Sequence, residues 1–404
     1  MQYGHHRLSE MNICLVSHEF PPETGWGGVA TYSFELSRAL AQAGHRVWVV
    51  TCTSGKEKLF VDSGVEIHHL RVWRSWDHLR VLWRLPAAWP SFAWRAACRV
   101  QQIHRTVGLD IVEAAEYGAD SLFVKVFPRR PRLVVRLHSP SVLLNRFTGV
   151  IPTWQHRLAY LRERLAIAGA DALSAPARAI VDEACSWLPI IRTKRLCVVP
   201  NGITASDWDE GPGRAEPPEV LYVGRLERRK GIDLVERVIP TVLNEFPNVT
   251  FRFVGDDRFD EHQVSWRTRL TRAAPEQARS RLAFDHVPRE HLPSLYQRAT
   301  LSIIPSPWEN FPYVALEAMA TGCPVIATNV GALPEIVTHG RTGLLVPPGD
   351  HEAFSRAIAT LLRSPRQLDS MRVEARRWIR EKFSWERVLP LMVGFYRAVC
   401  DEAS

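Results

Sequence analysis

Apolar and polar positions along this chain follow two periods, one typical of buried strands and one typical of helices. Residues 12–17 form a short, nearly continuous apolar run, as expected of a strand covered on both faces of its sheet. Residues 29–43 carry apolar side chains at helical spacing and end before Gly44, which predicts a helix with a glycine stop. A second apolar run at 46–51 completes a strand–helix–strand unit of a parallel sheet.

The same alternation continues in two series with a polar segment between them. The first series predicts further strands at 65–70, 110–113, 133–137, 172–175 and 196–199. Residues 204–218 are polar and rich in Gly and Pro, which predicts a linker between domains. The second series predicts strands at 220–223, 249–254, 282–287, 301–305 and 325–328. Residues from about 351 to 400 show helical patterns only.

This organisation predicts an α/β protein with two consecutive doubly wound, Rossmann-like domains, each built on a parallel sheet. The first domain is expected over 11–203 and the second over 219–382, a division that suits a chain of 404 residues. The helical tail is expected to end in a helix over 383–404. Packing of that helix back onto the first domain is an arrangement that the sequence leaves open.

Composition limits the kinds of site, the cellular location and the partners that we expect. The seven cysteines are scattered without a Cys-x-x-Cys pair, which argues against a disulfide framework and a structural zinc site and predicts a cytoplasmic location. The first ten residues lack the apolar segment of a signal peptide, and no apolar run approaches the roughly 18 residues that span a bilayer. The formal charge of +8 suits anionic partners, but no nucleic-acid-binding motif is present.

The densest group of candidate site residues follows the predicted strand at 301–305. Ligands of open parallel sheets bind beyond the carboxyl ends of the strands, and Glu309 lies in the loop there. A helix is expected to begin near Pro312, because proline suits the first helical position, and its N-terminus favours an anion. Glu317 lies in this apolar helix, where an unpaired carboxylate is costly. We interpret Glu317 as an acceptor for a diol such as ribose, with an exposed turn or a structural cap as the alternative.

A second group follows the predicted strand at 220–223. Gly224 permits close approach, and Arg225 and Lys230 flank the start of the next helix. Two cations at a helix N-terminus oppose its dipole unless an anion is present. This arrangement predicts a diphosphate site, with a solvated basic turn as the alternative.

Together, these residues resemble the retaining glycosyltransferases of family 4, also called glycosyl transferases group 1, which have the GT-B fold. Glu309 and Glu317 match the E-x7-E motif of that family. The resemblance covers residues from about 11 to 365, and further motifs in the same order support it: Gly27-Gly28, Pro200-Asn201-Gly202, Val254-Gly255-Asp256, Gly322-Cys323-Pro324-Val325, 331–336 and 342–346. The GT-B fold implies two Rossmann-like domains that face each other across a cleft, with the acceptor on the N-terminal side and the donor on the C-terminal side.

The resemblance implies roles for the second group and the two glutamates. Arg225 and Lys230 would hold the diphosphate of a nucleotide-sugar donor. Glu317 would bind the ribose hydroxyls, and Glu309 would contact the donor sugar near the reacting carbon. Arg225, Lys230 and Glu309 are thus candidate catalytic residues.

Further residues complete the implied donor site. Asn310 and Phe311 lie beside Glu309, although family members often have glycine at the positions of Asn310 and Pro312. The Gly27-Gly28 loop would approach the phosphates from the first domain. His138, which follows the predicted strand at 133–137, resembles the family histidine that contacts the donor sugar and is a candidate catalytic residue.

The family reaction is transfer of a hexose-type sugar, with retained configuration, to a hydroxyl of a saccharide or lipid-linked acceptor. Cell-envelope, exopolysaccharide or glycolipid synthesis is the expected setting. A front-face reaction in which the leaving diphosphate deprotonates the acceptor requires no cofactor and no metal ion. The Asp207-Trp208-Asp209 triplet has the D-x-D pattern of other metal-dependent glycosyltransferases, but it falls in the predicted linker, so we do not expect a metal there.

Residues 71–105 hold five Trp and seven Arg, with no Lys. Trp with Arg is typical of a segment that docks on an anionic membrane surface, which predicts a peripheral membrane location. The alternative is an amphipathic helix packed in the first domain, with arginine stems lying along it.

Three other functions compete with this interpretation. A dinucleotide oxidoreductase is disfavoured, because the glycine-rich loop begins well after the first strand and the second strand ends without the acid that binds ribose. A nucleotide-sugar epimerase or phosphorylase of the same fold, or a non-catalytic sugar-binding protein, remains an alternative.

Overall fold

The computed structural model describes residues 10–72, 88–148, 150–208 and 215–401. These residues divide into two compact units. The first contains the described residues of Met1–Arg146, Val150–Gly202 and Leu389–Ser404, and the second contains those of Phe147–Gly149 and Ile203–Val388. The end of the chain thus belongs to the same unit as its beginning.

An eight-stranded sheet forms the centre of the first unit. Its strands are β1 (Asn12–Val16), β2 (Arg46–Thr53), β3 (Lys58–Asp62), β4 (Val65–Arg71), β5 (Ile111–Ala115), β6 (Arg132–Arg136), β7 (Ala172–Ala175) and β8 (Arg195–Val198). Their order is β3-β4-β2-β1-β5-β6-β7-β8, and every neighbouring pair is parallel except β3–β4. The antiparallel edge strand β3 was not predicted, because all five of its residues are exposed and it lacks the apolar run of a buried strand.

Helices connect the strands of this unit: α1 (Gly28–Gln42), α2 (Ala88–Val107), α3 (Ser141–Thr148), α4 (Trp154–Gly169) and α5 (Arg178–Trp187). The predicted first helix is α1, which buries Leu36 and Leu40 one turn apart. Gly44, with a φ of +88°, follows its end, as expected of a glycine stop.

The basic aromatic segment 71–105 is described only in part, because residues 73–87 lie outside the described residues. Its second half forms most of α2, which buries Phe92, Ala96 and Val100. Arg95 pairs with Glu57, and Arg99 Nη1 lies 2.9 Å from His68 Nδ1. The described half of the segment is therefore a packed helix whose inner arginines contact protein groups.

The second unit has a six-stranded sheet in which all neighbouring strands are parallel. Its strands are β9 (Glu219–Val223), β10 (Thr250–Val254), β11 (Leu282–Asp285), β12 (Leu301–Ile304), β13 (Val325–Thr328) and β14 (Gly343–Val346), in the order β11-β10-β9-β12-β13-β14. The sequence pattern did not predict β14, whose two leucines are only half-buried. Two parallel-sheet α/β units confirm the predicted fold class.

The helices of the second unit and the tail are α6 (Ile232–Glu245), α7 (Trp266–Ala273), α8 (Leu292–Arg298), α9 (Tyr313–Ala320), α10 (Leu333–Ile336), α11 (His351–Leu362), α12 (Pro365–Lys382) and α13 (Trp385–Asp401). The core includes Val235 and Ile239 of α6, Phe251 of β10 and Phe354 of α11. The prediction of helices only after residue 351 is confirmed. None of the helices in the described parts of the chain has both the length and the apolar character required to span a membrane.

Candidate active site

Glu309 lies in the loop between β12 and α9, and a glycine of another loop holds this loop in place. The Ala332 N–H donates to the Glu309 carbonyl oxygen at 3.1 Å. A Cβ atom on Gly331, which has a φ of +51°, would lie only 1.9 Å from that oxygen. Glycine is therefore required at 331, and the main chain at Glu309 is fixed by a neighbouring turn.

The Glu309 side chain is buried and shared by two donors. Lys230 Nζ lies 2.7 Å from Glu309 Oε1, and Ser306 Oγ donates to the same oxygen at 2.7 Å. Lys230 ends the short 3-10 turn Arg228–Lys230, and Gly231 then packs so closely on the end of β12 that a Cβ would lie 2.0 Å from Pro305 O. The fold thus brings together the two groups that the sequence analysis treated separately. Ser306 was not singled out from the sequence, although it directly follows the predicted strand.

Arg225 follows β9 and remains half exposed, with 48% of its side-chain surface accessible. Its Nη2 lies 3.1 Å from Glu227 Oε1, and Tyr222 Oη donates to the Arg225 carbonyl oxygen at 2.8 Å. The preceding Gly224 lies so close to Gly255 that a Cβ on Gly255 would be 2.3 Å from the Gly224 oxygen. Arg225 is therefore an accessible cation on a tightly packed strand end.

Glu317 lies on α9 with only 4% of its side-chain surface exposed, and it is paired. Arg289 Nη2 lies 3.2 Å from Glu317 Oε1, and Tyr296 Oη donates to Oε2 at 3.4 Å. A buried carboxylate needs a cation or hydrogen-bond donors nearby, and the Arg289 guanidinium and the Tyr296 hydroxyl provide them. Arg289 was missed from the sequence, where nothing marks it as the partner of Glu317.

The three residues after Glu309 differ in their contacts and in their position relative to α9. Phe311 is buried, and its ring lies 5.8 Å from that of Phe383. Asn310 Oδ1 is buried without a hydrogen-bond partner among the described residues. Pro312 is extended and precedes α9 as its N-cap, one position before the first helical position that we expected for it.

The Asp-x-Asp triplet of the predicted linker is only partly described. Ala205–Trp208 form a 3-10 turn, Trp208 is buried, and its ring lies 6.0 Å from that of Tyr296. Asp209 lies outside the described residues. Within the described ranges, no group of three or more His, Cys, Asp and Glu side chains is placed to hold a metal ion.

In the first unit, Gly27 and Gly28 stand at the N-terminus of α1. Gly27 is the N-cap in an extended conformation, and α1 begins at Gly28. A Cβ on Gly27 would lie 3.0 Å from Glu19 Oε2, whereas a Cβ on Gly28 would meet open space. Gly28 therefore leaves space at the N-terminus of a 15-residue helix, whose first N–H groups favour an anion.

His138 follows the end of β6 and is buried. Its main-chain N–H donates to Glu116 Oε2 at 2.7 Å, and its ring lies 5.0 Å from the ring of Tyr32. Burial, followed by the charge of Arg136, lowers the pKa of His138 well below its ordinary value. His138 is therefore a neutral imidazole at neutral pH. One of its ring nitrogens donates a hydrogen bond and the other accepts one.

A His–Asp pair lies nearby on the loops that follow β1 and β5. His18 Nδ1 lies 2.7 Å from Asp120 Oδ2, which also accepts from the His18 main-chain N–H at 2.9 Å. Burial lowers the pKa of His18, but the charge and hydrogen bond of Asp120 raise it, to about 9. A Cβ on Gly118, where φ is +82°, would lie 3.0 Å from the imidazole Cε1. Sequence reasoning missed this pair, because 102 positions separate its members.

Comparison with known proteins agrees with the division of the chain into two units. The family model "Glycosyltransferase Family 4" matches residues 26–207, and the model "Glycosyl transferases group 1" matches residues 206–378. The chain is 27% identical over 413 residues to glycogen synthase of Mycobacterium tuberculosis, covering 96% of this chain and 95% of that protein. The two family models adjoin near the boundary between the two units.

Solved structures show the same fold. Sucrose-phosphate synthase from Thermosynechococcus elongatus superposes with a TM-score of 0.77 at 22% identity, covering 98% of this chain and all of that one. Anabaena HepE in complex with UDP-glucose superposes with a TM-score of 0.71 at 19% identity, covering 98% of this chain and 99% of that one. From the two matching family models and this fold, we conclude that the chain belongs to the group 1 glycosyltransferases with the GT-B fold and is a glycosyltransferase.

Proposed function

We propose that this protein transfers a hexose from a nucleotide-diphosphate sugar to a hydroxyl of a saccharide or lipid-linked acceptor and retains the anomeric configuration. The observation that carries the proposal is the group formed by Lys230, Glu309 and Ser306 at the end of β12. A buried carboxylate held by an ammonium and a hydroxyl supplies both a contact for sugar hydroxyls and a cation for a diphosphate. The complex of Anabaena HepE with UDP-glucose supports a donor of this chemical class.

In the proposed reaction the acceptor oxygen bonds to the anomeric carbon on the face from which the diphosphate departs. The bond between that carbon and the diphosphate oxygen breaks, and the acceptor proton passes to the leaving diphosphate. Arg225 and Lys230 stabilise the charge that develops there, and the N-terminus of α9, which follows the Glu309 loop, adds the positive end of a helix dipole. Glu317, held by Arg289, accepts hydrogen bonds from the ribose hydroxyls, and neutral His138 contacts the donor sugar.

The first experiment measures thermal shifts against UDP, GDP, ADP and their common sugars. We expect one nucleotide class to raise the melting temperature selectively, and Glu317→Gln, which keeps the shape of the side chain, to reduce that shift. Glu374→Gln is a matched control, because Glu374, on α12, pairs with Arg341 and with Arg377 rather than with Arg289. Absence of a shift with every nucleotide would contradict the proposed donor site.

A second experiment separates transfer from the alternatives. With the donor identified, the product is analysed by NMR with and without saccharide and lipid-linked acceptors. Transfer needs an acceptor, whereas an epimerase converts the donor alone and a sugar-binding protein leaves it unchanged. The coupling constant of the anomeric proton in the product reports whether the configuration is retained, and an inverted product would rule out the proposed front-face reaction.

We further propose that the reaction proceeds without a metal ion or other cofactor. The two cations Arg225 and Lys230 provide the positive charge that a metal would otherwise supply to the diphosphate. Activity is measured after treatment with EDTA and again after Mg²⁺ or Mn²⁺ is added back. We expect equal rates under all conditions, and loss on chelation with recovery on addition of metal would refute the proposal.

The proposed setting is cell-envelope, exopolysaccharide or glycolipid synthesis at the cytoplasmic face of a membrane. The seven free cysteines support a reducing compartment. Trp94 on α2 is 47% exposed and lies 5.6 Å from Phe123 and 6.2 Å from Phe127, which together present an aromatic surface for interfacial binding.

Co-sedimentation with vesicles tests this location, using neutral vesicles and vesicles with about 30% phosphatidylserine. We expect binding to the anionic vesicles only, and weaker binding for Trp94→Ala. Trp154→Ala is a matched control, because Trp154 is also an exposed tryptophan of the first unit. Equal binding to both vesicle types, or none to either, would contradict peripheral docking through an anionic surface.

A further inference from the structure

One buried carboxylate of the first unit is shared by two tyrosines from opposite ends of the chain. Glu113, on β5, accepts at Oε1 from Tyr32 Oη of α1 at 2.7 Å. Its Oε2 accepts from Tyr396 Oη of α13 at 2.8 Å, across 283 positions of the sequence. Burial raises the pKa of Glu113, while the charge of Arg136 and the two tyrosines lower it. Each carboxylate oxygen thus has a hydroxyl donor, as a buried carboxylate requires.

Tyr32 connects this carboxylate to His138. The guanidinium carbon of Arg136 lies 4.3 Å from the centre of the Tyr32 ring. The His138 ring lies 5.0 Å from the same ring, at an angle of 66°. Arg136 is itself held by Asn201 Oδ1 and Val199 O, each at 2.8 Å from its Nη2. The Tyr32 ring is therefore the common neighbour of a rigidly held guanidinium and of the candidate catalytic imidazole.

Packing alone does not hold the imidazole on every side. A small cavity lies beside it, lined by His138, Tyr32 and Glu113 together with residues at the ends of β1 and β5. A ring with open space on one side keeps its orientation only through the contacts on its other sides. For His138, one of these contacts is the Tyr32 ring, whose hydroxyl is anchored on Glu113.

We propose that Tyr396 is a positioning residue for sugar transfer, which acts through Glu113 and Tyr32 to hold the imidazole of His138 in its working orientation. The last helix thereby completes the site of the first unit rather than only covering its surface. This inference rests on the contact between His138 and the donor sugar in the proposed function. The hydroxyl of Tyr396 itself touches neither the donor nor the acceptor.

Steady-state kinetics test the proposal with two variants, each of which removes one contact of α13. Tyr396→Phe removes one hydroxyl from Glu113 and keeps the aromatic ring. Arg195→Met removes a different contact of the last helix, the hydrogen bond from Arg195 Nη1 to Ala398 O at 2.6 Å, and leaves the Glu113 side chain unchanged. We expect Tyr396→Phe to lower kcat about 10-fold with little change in the donor KM, whereas Arg195→Met lowers the melting temperature and leaves kcat unchanged.

Tyr32→Phe removes the second hydroxyl at Glu113 without altering the last helix, and it should lower kcat to a similar extent. This variant keeps the test decisive if Tyr396→Phe unfolds the protein. Unchanged kcat in both tyrosine variants would overturn the proposal. Equal losses of kcat in Tyr396→Phe and Arg195→Met would also overturn it, because they would indicate only weaker docking of α13.

Histidine NMR provides a readout independent of activity. The His138 ring Cε1–H resonance is assigned by its absence in His138→Gln. We expect this resonance to shift or broaden in Tyr396→Phe and to stay in place in Arg195→Met. A shift without any transferase activity would support the coupling while refuting the proposed function, and an unmoved resonance in Tyr396→Phe would refute the coupling itself.

Discussion

Lys230 Nζ lies 2.7 Å from Glu309 Oε1, although 79 positions separate the two residues in sequence. Glu309 is buried, so its charge requires a partner, and Lys230 and Ser306 provide that partner. The same ammonium lies at the start of α6, where the helix dipole favours a nearby anion. In the proposed function, a donor diphosphate and Glu309 share this cation, which couples donor binding to the position of the carboxylate.

Removal of this cation should impair transfer strongly. We expect Lys230→Met to lower kcat/KM by about 100-fold or more, because the leaving diphosphate loses a charge partner and Glu309 loses its ion pair. Steady-state release of the nucleoside diphosphate measures the rate. Lys58→Met is the control, because Lys58 is an exposed lysine that pairs with Glu23. A Lys230→Met enzyme within about twofold of the unmodified rate would eliminate the proposed role.

Arg225 provides the second charge of the proposed diphosphate site. We expect Arg225→Ala to lower kcat by about 100-fold, comparable to the loss of one donor to an oxyanion. Arg228→Ala is a matched control in the same segment, since Arg228 is exposed and pairs with Asp233 and Glu261. Similar losses in both variants would indicate a general effect of basic charge rather than a specific contact of Arg225.

The pair of Arg289 and Glu317 should set the affinity for the donor ribose. Arg289→Met removes the Arg289 cation from the buried Glu317, so the carboxylate is expected to protonate or turn away and the donor KM to rise about 10-fold. The unmodified enzyme should prefer donors with the ribose 2′-hydroxyl over donors that lack it. The Arg289→Met variant should show a smaller preference.

Arg372→Met is the structural control for Arg289→Met. Arg372 donates to the carbonyl oxygens of Ala299 and Gln297 at the end of α8, close to Tyr296. We expect this variant to lose thermal stability and to keep full discrimination between the two donors. If Arg289→Met kept that discrimination as well, Arg289 would not be positioning the ribose acceptor.

The pair of His18 and Asp120 should contribute stability that depends on pH. The pKa of His18 is raised in the folded protein to about 9, above its ordinary value of 6.5. The contribution is therefore fully present below about pH 6.5 and is lost as the pH rises through about 9. We expect the drop in melting temperature caused by Asp120→Asn to be largest near pH 6 and to shrink toward pH 9.5.

Asp171→Asn is the control for this pH dependence. Burial raises the pKa of Asp171, but its hydrogen bonds with Arg130 and the Leu133 N–H bring the value below the ordinary one. Its contribution is therefore present above about pH 3.8 and is constant from pH 6 to 9.5. A penalty for Asp120→Asn that is equally constant over this range would show that His18 does not titrate there.

Local pattern was sufficient for most of the strands and insufficient at the edges of the sheets. Buried strands such as β1 and β13 have continuous apolar runs, which arise because both faces of a parallel sheet are covered. The edge strand β3 has a run of only three apolar residues, Leu59, Phe60 and Val61, and all of them are exposed. Its pairing with β4 depends on backbone hydrogen bonds, which the apolar pattern does not record.

The sequence by itself determined the fold class, the series of strands and helices and the family, because periodic burial and ordered motifs are local properties of the chain. The positions of Glu309, Arg225 and Lys230 after strands, and of Glu317 on the following helix, followed from the same patterns. Only the tertiary structure decided which polar side chains meet: Lys230 with Glu309, Arg289 with Glu317 and Tyr396 with Glu113. These contacts join residues far apart in sequence, and their energies depend on burial and distance, which no local pattern records.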